Sequence, residues 1–198
     1  MSAELRLPVV LMVLLALAGL ALVGFYVSPG HEGSFKENMI PQLIGFCLEG
    51  FFLVGLLSLL QKAQEQRQRR ALWLSLRGSL RGLLSRLDIA LLPPHAEPAP
   101  SPALEQDPAV VKRYLRELAG ARLELEDMLA LKREAIEVLG LGRDMIPVAA
   151  QLSTAHMRWW IAIVDSLRQM SRAGTRAALE QAASRFLQNL VAFDALEL

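Results

Sequence analysis

One carboxylate in this chain sits where a carboxylate is costly. Glu49 lies near the middle of 40–60, IPQLIGFCLEGFFLVGLLSLL, an otherwise almost wholly apolar run. In a membrane-crossing helix an acid at that depth costs up to about 3 kcal/mol to insert. Asn38, Gln42, Gly45 and Glu49 fall at i, i+4, i+7 and i+11, which places them on one helix face. This polar, small-residue stripe is predicted to face protein or water, not lipid. Three chemistries follow from it. A protonated Glu49 hydrogen-bonds the first span or a neighbouring subunit, or it forms a contact around an oligomer axis, or it serves as an ion or proton site. No basic residue and no second carboxylate lies in either apolar run of the chain, which favours structural and assembly roles over conduction.

A basic cluster follows at once. Lys62, Arg67, Arg69 and Arg70 lie within QKAQEQRQRR, directly after the apolar run. Arg77, Arg81 and Arg86 extend the series, against Glu65 alone. Basic residues massed beside a span act as a topology anchor, and each is worth ~1 kcal/mol near anionic lipid. Nucleic acid suits them less, because few aromatics interleave the cluster. The most unusual stretch further on is His156-Met157-Arg158-Trp159-Trp160. Adjacent tryptophans cannot share one helix face. One is expected in a core, and the other at its edge or on a partner surface.

Other chemistry is not signalled. Cys47 is the one cysteine, so neither a disulfide within the chain nor a cysteine-based metal site is expected. His31, His95 and His156 lie in three separate segments without ligand spacing. No nucleophile–base set, P-loop, zinc-binding helix motif or dinucleotide fingerprint appears. The expectation is a non-enzymatic chain with no cofactor, no metal, no nucleic acid and no small-molecule substrate.

Two apolar runs position the acid. Run 7–27, LPVVLMVLLALAGLALVGFYV, carries no charge, and 40–60 carries Glu49. At about 1.5 Å per residue, either run spans a hydrocarbon core of about 30 Å. Ala16-Leu17-Ala18 resembles a signal-peptide cleavage site, but the apolar run continues to Val27, too long for a signal core, so a retained span is the reading. Segment 28–39, rich in Gly, Pro and Ser, has the length of a helix-hairpin turn. Glycines 45, 50 and 55 recur at a spacing of five, a weak signal for helix dimerisation. The turn has one basic residue, Lys36, against the cluster after the second run. The positive-inside rule therefore predicts both termini in the cytoplasm. The expected product is a multi-pass membrane protein, in a bacterial cell one of the inner membrane.

The formal net charge of +1 and mean hydropathy of +0.33 average over two unlike parts, since nearly all the charge follows residue 60. Segment 61–92 is predicted as a basic amphipathic helix that continues the second span. Leu72, Leu76, Leu80, Leu83, Leu84, Leu87 and Leu91 form its apolar stripe, with Arg70, Arg77 and Arg81 off it. Segment 93–108 holds six of the ten prolines and reads as an extended linker. Asp107 is expected to cap a helix over 109–139 with Pro108 at its first position. There Val111, Leu118, Leu125, Lys132 and Leu139 recur every seven residues, Tyr114, Ala121, Met128 and Ala135 form a second seam, and Leu115, Leu129 and Ile136 widen it. Gly140 and Gly142 are expected to end that helix, and Asp144 to cap the next over 145–170. A last helix, capped by Thr175, covers 176–196 with Leu179, Ala183, Phe186, Leu190 and Phe193 inward.

The predicted fold is all-α: a two-helix transmembrane hairpin (1–60) followed by a cytoplasmic bundle of about four helices. The expected function is a membrane-anchored scaffold, adaptor or regulatory subunit. Its partners are the lipid bilayer and a second copy of itself or another membrane protein. The alternative is an oligomeric channel or membrane-effector subunit with Glu49 lining a pore.

Overall fold

The computed structural model describes residues 3–28, 34–92, 97–120 and 123–197, with side chains from residue 10 onward in the first helix and from residue 39 in the second. Among the described residues there are nine helices and no strand. The chain divides into two units, Met1–Arg67 and Gln68–Leu198.

The first unit contains α1, Ala3–Val27, and the leading part of α2, Ser34–Ser79. Both helices are long and apolar enough to cross a membrane, with windows of mean hydropathy 2.6 and 2.3. Almost nothing in those windows is buried. Of the exposed large apolar side chains described, twenty precede residue 61 and six follow it. Apolar surface of that extent marks a membrane or protein interaction face. The glycines mark where the two helices approach. A Cβ added to Gly19 would stand 3.6 Å from Cys47, one on Gly50 3.3 Å from Leu15, and one on Gly55 3.5 Å from Met12. The order of these pairs runs in opposite directions along α1 and α2. Of the expected turn at 28–39, residues 29–33 lie outside the described residues and 34–39 already belong to α2.

The second unit is built on the leucine stripe. Leu76, Leu80, Leu83, Leu84, Leu87 and Leu91 are all buried. The expected single helix over 61–92 is two, because α2 ends at Ser79 and α3, Arg81–Leu91, begins after Leu80. The Leu80 N–H bonds the Arg77 carbonyl and Ser79 Oγ bonds the Leu76 carbonyl, closing α2 with a tight turn between Gly78 and Gly82. Within the expected linker, α4 (Ser101–Gln106) forms with Pro102 in its first turn and buries Leu104. Residues 93–96 of that segment lie outside the described residues.

The expected helix over 109–139 is also two. Asp107 caps α5, Pro108–Leu118, accepting the Ala109 N–H at 2.8 Å. The chain then breaks at Ala119-Gly120 and resumes as α6, Leu125–Asp144. Gly140 and Gly142 do not end α6. Gly142 is a contact point, where a Cβ would lie 3.4 Å from Val164 and 3.5 Å from Leu167. Asp144 is the last residue of α6 and not a cap, and Met145 leads into α7, Ile146–Leu152. Ser153 then caps α8, Thr154–Arg172, and Thr175 caps α9, Arg176–Asp194, through the Ala178 N–H. α8 lies against α9, α6 and α7, α5 against α9, and α3 against α6. The core is one contiguous cluster running from Trp73 to Phe193.

Candidate functional site

The acid of the first unit is exposed. Gln42 and Glu49 are exposed, and nothing lies within 4 Å of a Cβ built on Gly45. The Asn38 side chain lies outside the described residues. Cys47, Gly50 and Gly55 carry the contacts to α1, so Gln42, Gly45 and Glu49 point elsewhere around α2. Among the described residues Glu49 has neither a hydrogen bond nor an ion pair, and the expected hydrogen bond to the first span is not formed. Lys62, Arg67, Arg69 and Arg70 are all exposed on α2.

The tryptophans divide as their adjacency requires. Trp160 is fully buried, and its indole N–H donates to the Gly142 carbonyl at 2.8 Å. It is therefore unavailable to a partner, and the expected partner surface reduces to Trp159, which lies half-buried at the core edge. His156 is buried next to it, with Nδ1 2.8 Å from Ser153 Oγ and its ring edge-on to Phe193 at 5.3 Å. Burial, followed by the nearby Arg69 charge, holds the His156 pKa below the usual histidine value. The neutral ring serves the start of α8.

Two polar clusters were not visible in the pattern. Arg77, placed off the stripe by the sequence reading, is completely buried. Its Nη2 donates to the Leu104 carbonyl at 3.0 Å and its Nε to the Glu105 carbonyl at 3.4 Å. Its Nη1 lies 3.3 Å from Asp194 Oδ2, and its guanidinium lies over the Trp73 ring. Burial lowers the Arg77 pKa, and the charges of Asp194 and Asp107 oppose that. Burial also pushes Asp194 up to about 6, against the pull of Arg77 and Lys112. The sign in the sequence was spacing: Arg77 follows Trp73 by four and precedes Leu80 by three, so it shares their face.

The second cluster centres on Asp88 of α3. Its carboxylate accepts Tyr114 Oη at 2.7 Å, Arg113 Nη2 at 3.0 Å and the Ala99 N–H. Burial, then the Asp88 hydrogen bond, raises the Tyr114 pKa well above that of a free phenol. Among the described residues no group of three or more His, Cys, Asp or Glu is placed to hold a metal ion. No family model, no curated protein and no solved structure matches this chain.

Proposed function

We propose that the chain is a membrane-anchored, non-enzymatic helical scaffold, adaptor or regulatory subunit. In this reading 7–27 and 40–60 cross the bilayer as a hairpin, and the second unit is presented in the cytoplasm. The observation that carries it is the contrast in burial: α1 and the apolar part of α2 expose most of their large side chains, whereas the second unit closes a core of its own. Among the described residues, the buried Arg77, Asp88, His156 and Ser166 are each bonded to backbone or neighbouring side chains, with His156 Nε2 left without a partner. Those bonds give each a structural role. Lys62, Arg67, Arg69 and Arg70 then meet anionic headgroups and fix the cytoplasmic side, which in a bacterium is that of the inner membrane.

The channel reading is kept for one reason, which is that Glu49 is exposed on a candidate span and has no partner among the described residues. Purified protein in liposomes separates the two. The scaffold reading expects no ion flux from the wild type or from Glu49→Gln. Flux by the wild type that disappears in Glu49→Gln would establish the channel instead. Mass measurement of the detergent-extracted protein, with crosslinking in membranes, tests the assembly that a scaffold requires.

A further inference from the structure

We infer that the exposed stripe of α6 is the surface on which a second copy of this chain docks, with the two α6 helices antiparallel. Leu125, Leu129 and Ile136 are 66%, 56% and 56% exposed, the three most exposed large apolar side chains described in the second unit. They fall at i, i+4 and i+11 with Lys132 at i+7, the d-a-d-a spacing of a helix–helix seam. The α6 core face is separate, made of Met128, Leu131, Ala135, Val138 and Gly142.

Lys132 does not spoil the seam. Its Nζ donates to the Ala173 carbonyl at 2.7 Å, at the end of α8, where the helix dipole favours a cation. Its methylene stem is left as apolar surface. Beside Leu125 and Leu129 lies a groove of about 200 Å³ that Lys132, Gly174 and Leu179 help to line.

Charge and register select the occupant and its direction. In an antiparallel pair each Ile136 lies opposite Leu125 of the other copy, next to that groove, and each Leu129 lies opposite the stem of Lys132. Glu126 and Arg133, both exposed and spaced by seven, flank the seam on one side. Antiparallel pairing sets Glu126 near Arg133 of the second copy, twice over by symmetry. A parallel pair would set Lys132 against Lys132 and leave Glu126 and Arg133 without an opposite charge across the seam. The stripe is shorter than a standard interface of ~800 Å² per partner, so the association relies on tethering to one membrane to raise effective concentration. For that step the inference rests on the scaffold reading, whose partner it names as a second copy.

Disulfide trapping in membranes of the expressing cell, in a Cys47→Ser background, tests it. The double variant Leu125→Cys/Ile136→Cys is expected to give a covalent dimer on oxidation, at least tenfold more than either single variant. Leu129→Glu added to the double variant is expected to abolish the crosslink without moving the tryptophan-fluorescence melt, because Leu129 is surface. Glu126→Arg is expected to weaken it, and Glu126→Arg/Arg133→Glu to restore it. Equal crosslinking by the single variants would mean a parallel pair and would overturn the proposal. So would no crosslink in any variant, or a crosslink that survives Leu129→Glu. Failure here with an oligomer still seen by mass leaves the scaffold reading standing, whereas Glu49-dependent flux removes the scaffold reading and leaves the α6 result intact.

Discussion

Replacing Asp194 by alanine removes the carboxylate 3.3 Å from a guanidinium that cannot give up its charge. The two side chains are 0% and 2% exposed. Deleting one partner of so buried a pair costs about 3–5 kcal/mol, because the other charge stays in the interior uncompensated. For a domain of this size that is a fall of roughly 10–15 °C in Tm. All three tryptophans, Trp73, Trp159 and Trp160, lie in the second unit, so their fluorescence during a melt of the detergent-solubilised chain reports on that unit alone. Asp194→Asn, which keeps the side-chain volume and an amide dipole beside the guanidinium and desolvates no carboxylate, is expected to cost less than Asp194→Ala.

The same residue predicts a pH dependence with a definite sign. Asp194 has a pKa of about 6 in the folded chain against 3.8 for the free group. The folded state therefore holds this proton more tightly. Its contribution is fully present below about pH 4 and is lost as pH rises through 6, a span on the order of 3 kcal/mol. His156 acts in the opposite sense: its lowered pKa means stability is lost as pH falls below its unfolded value of 6.5. The two partly offset in the wild type, so the informative quantity is the difference between wild type and Asp194→Asn. Relative to the variant, the wild type is expected to lose stability between pH 4 and pH 6. Parallel curves over that range, or a cost below about 1 kcal/mol for Asp194→Ala, would refute the reasoning.

Three further outcomes are expected. Tyr114→Phe takes one hydrogen bond from buried Asp88 and should destabilise the second unit by about 1–3 kcal/mol in urea unfolding, with Ala99 and Arg113 still in place. A Cβ at Gly82 would overlap the Glu134 carboxylate, the mobile end of a side chain 3.9 Å from Arg86. Gly82→Ala should therefore shift stability by no more than ~1 kcal/mol, and adding Glu134→Ala should turn the net effect stabilising through helix propensity, as a denaturant midpoint would register. Trp160→Phe leaves the Gly142 carbonyl unpaired and a void beside Phe193, for a loss of about 2–4 kcal/mol by thermal melt, while Trp159→Ala at the edge should cost less than half of that.

The legible parts of the chain were those governed by one local rule. The leucine stripe of α2 and α3, the caps at Asp107 and Thr175, and the inward face of α9 all depend on spacing within a few turns. The heptad reading of 109–139 holds for Val111, Tyr114, Leu118, Met128 and Ala135 and fails for Leu125, Leu129 and Ile136, because it carries one phase across Ala119-Gly120. The break resets the rotation of the helix, so Leu131 and Val138 enter the core while Leu125, Leu129 and Ile136 turn outward. Arg77 was misplaced for a different reason. Charge argued for solvent, and only tertiary partners far along the chain, two carbonyls of α4 and the side chain at the end of α9, make its burial tolerable. Glu49 was identified at once as anomalous, but its outward direction depends on which residues α1 contacts.

Asp88, Arg77 and the partly buried Lys132 have a common task that none of them reveals singly. Asp88 takes the Ala99 N–H, Arg77 takes the Leu104 and Glu105 carbonyls, and Lys132 takes the Ala173 carbonyl. Each reaches from a helix to the backbone of a short or irregular segment, where ladder hydrogen bonds are missing and unpaired groups are costly. A proline-rich stretch with six prolines would by composition be a free tether. Here Ala99 is pinned at one end of it and Leu104 and Glu105 further along, so its described part is bonded to α3 and α2. Arg77 joins that pinning to the C-terminal end of α9. These contacts fix the segments that helix packing leaves loose, as the proposed scaffold reading requires of a docking surface.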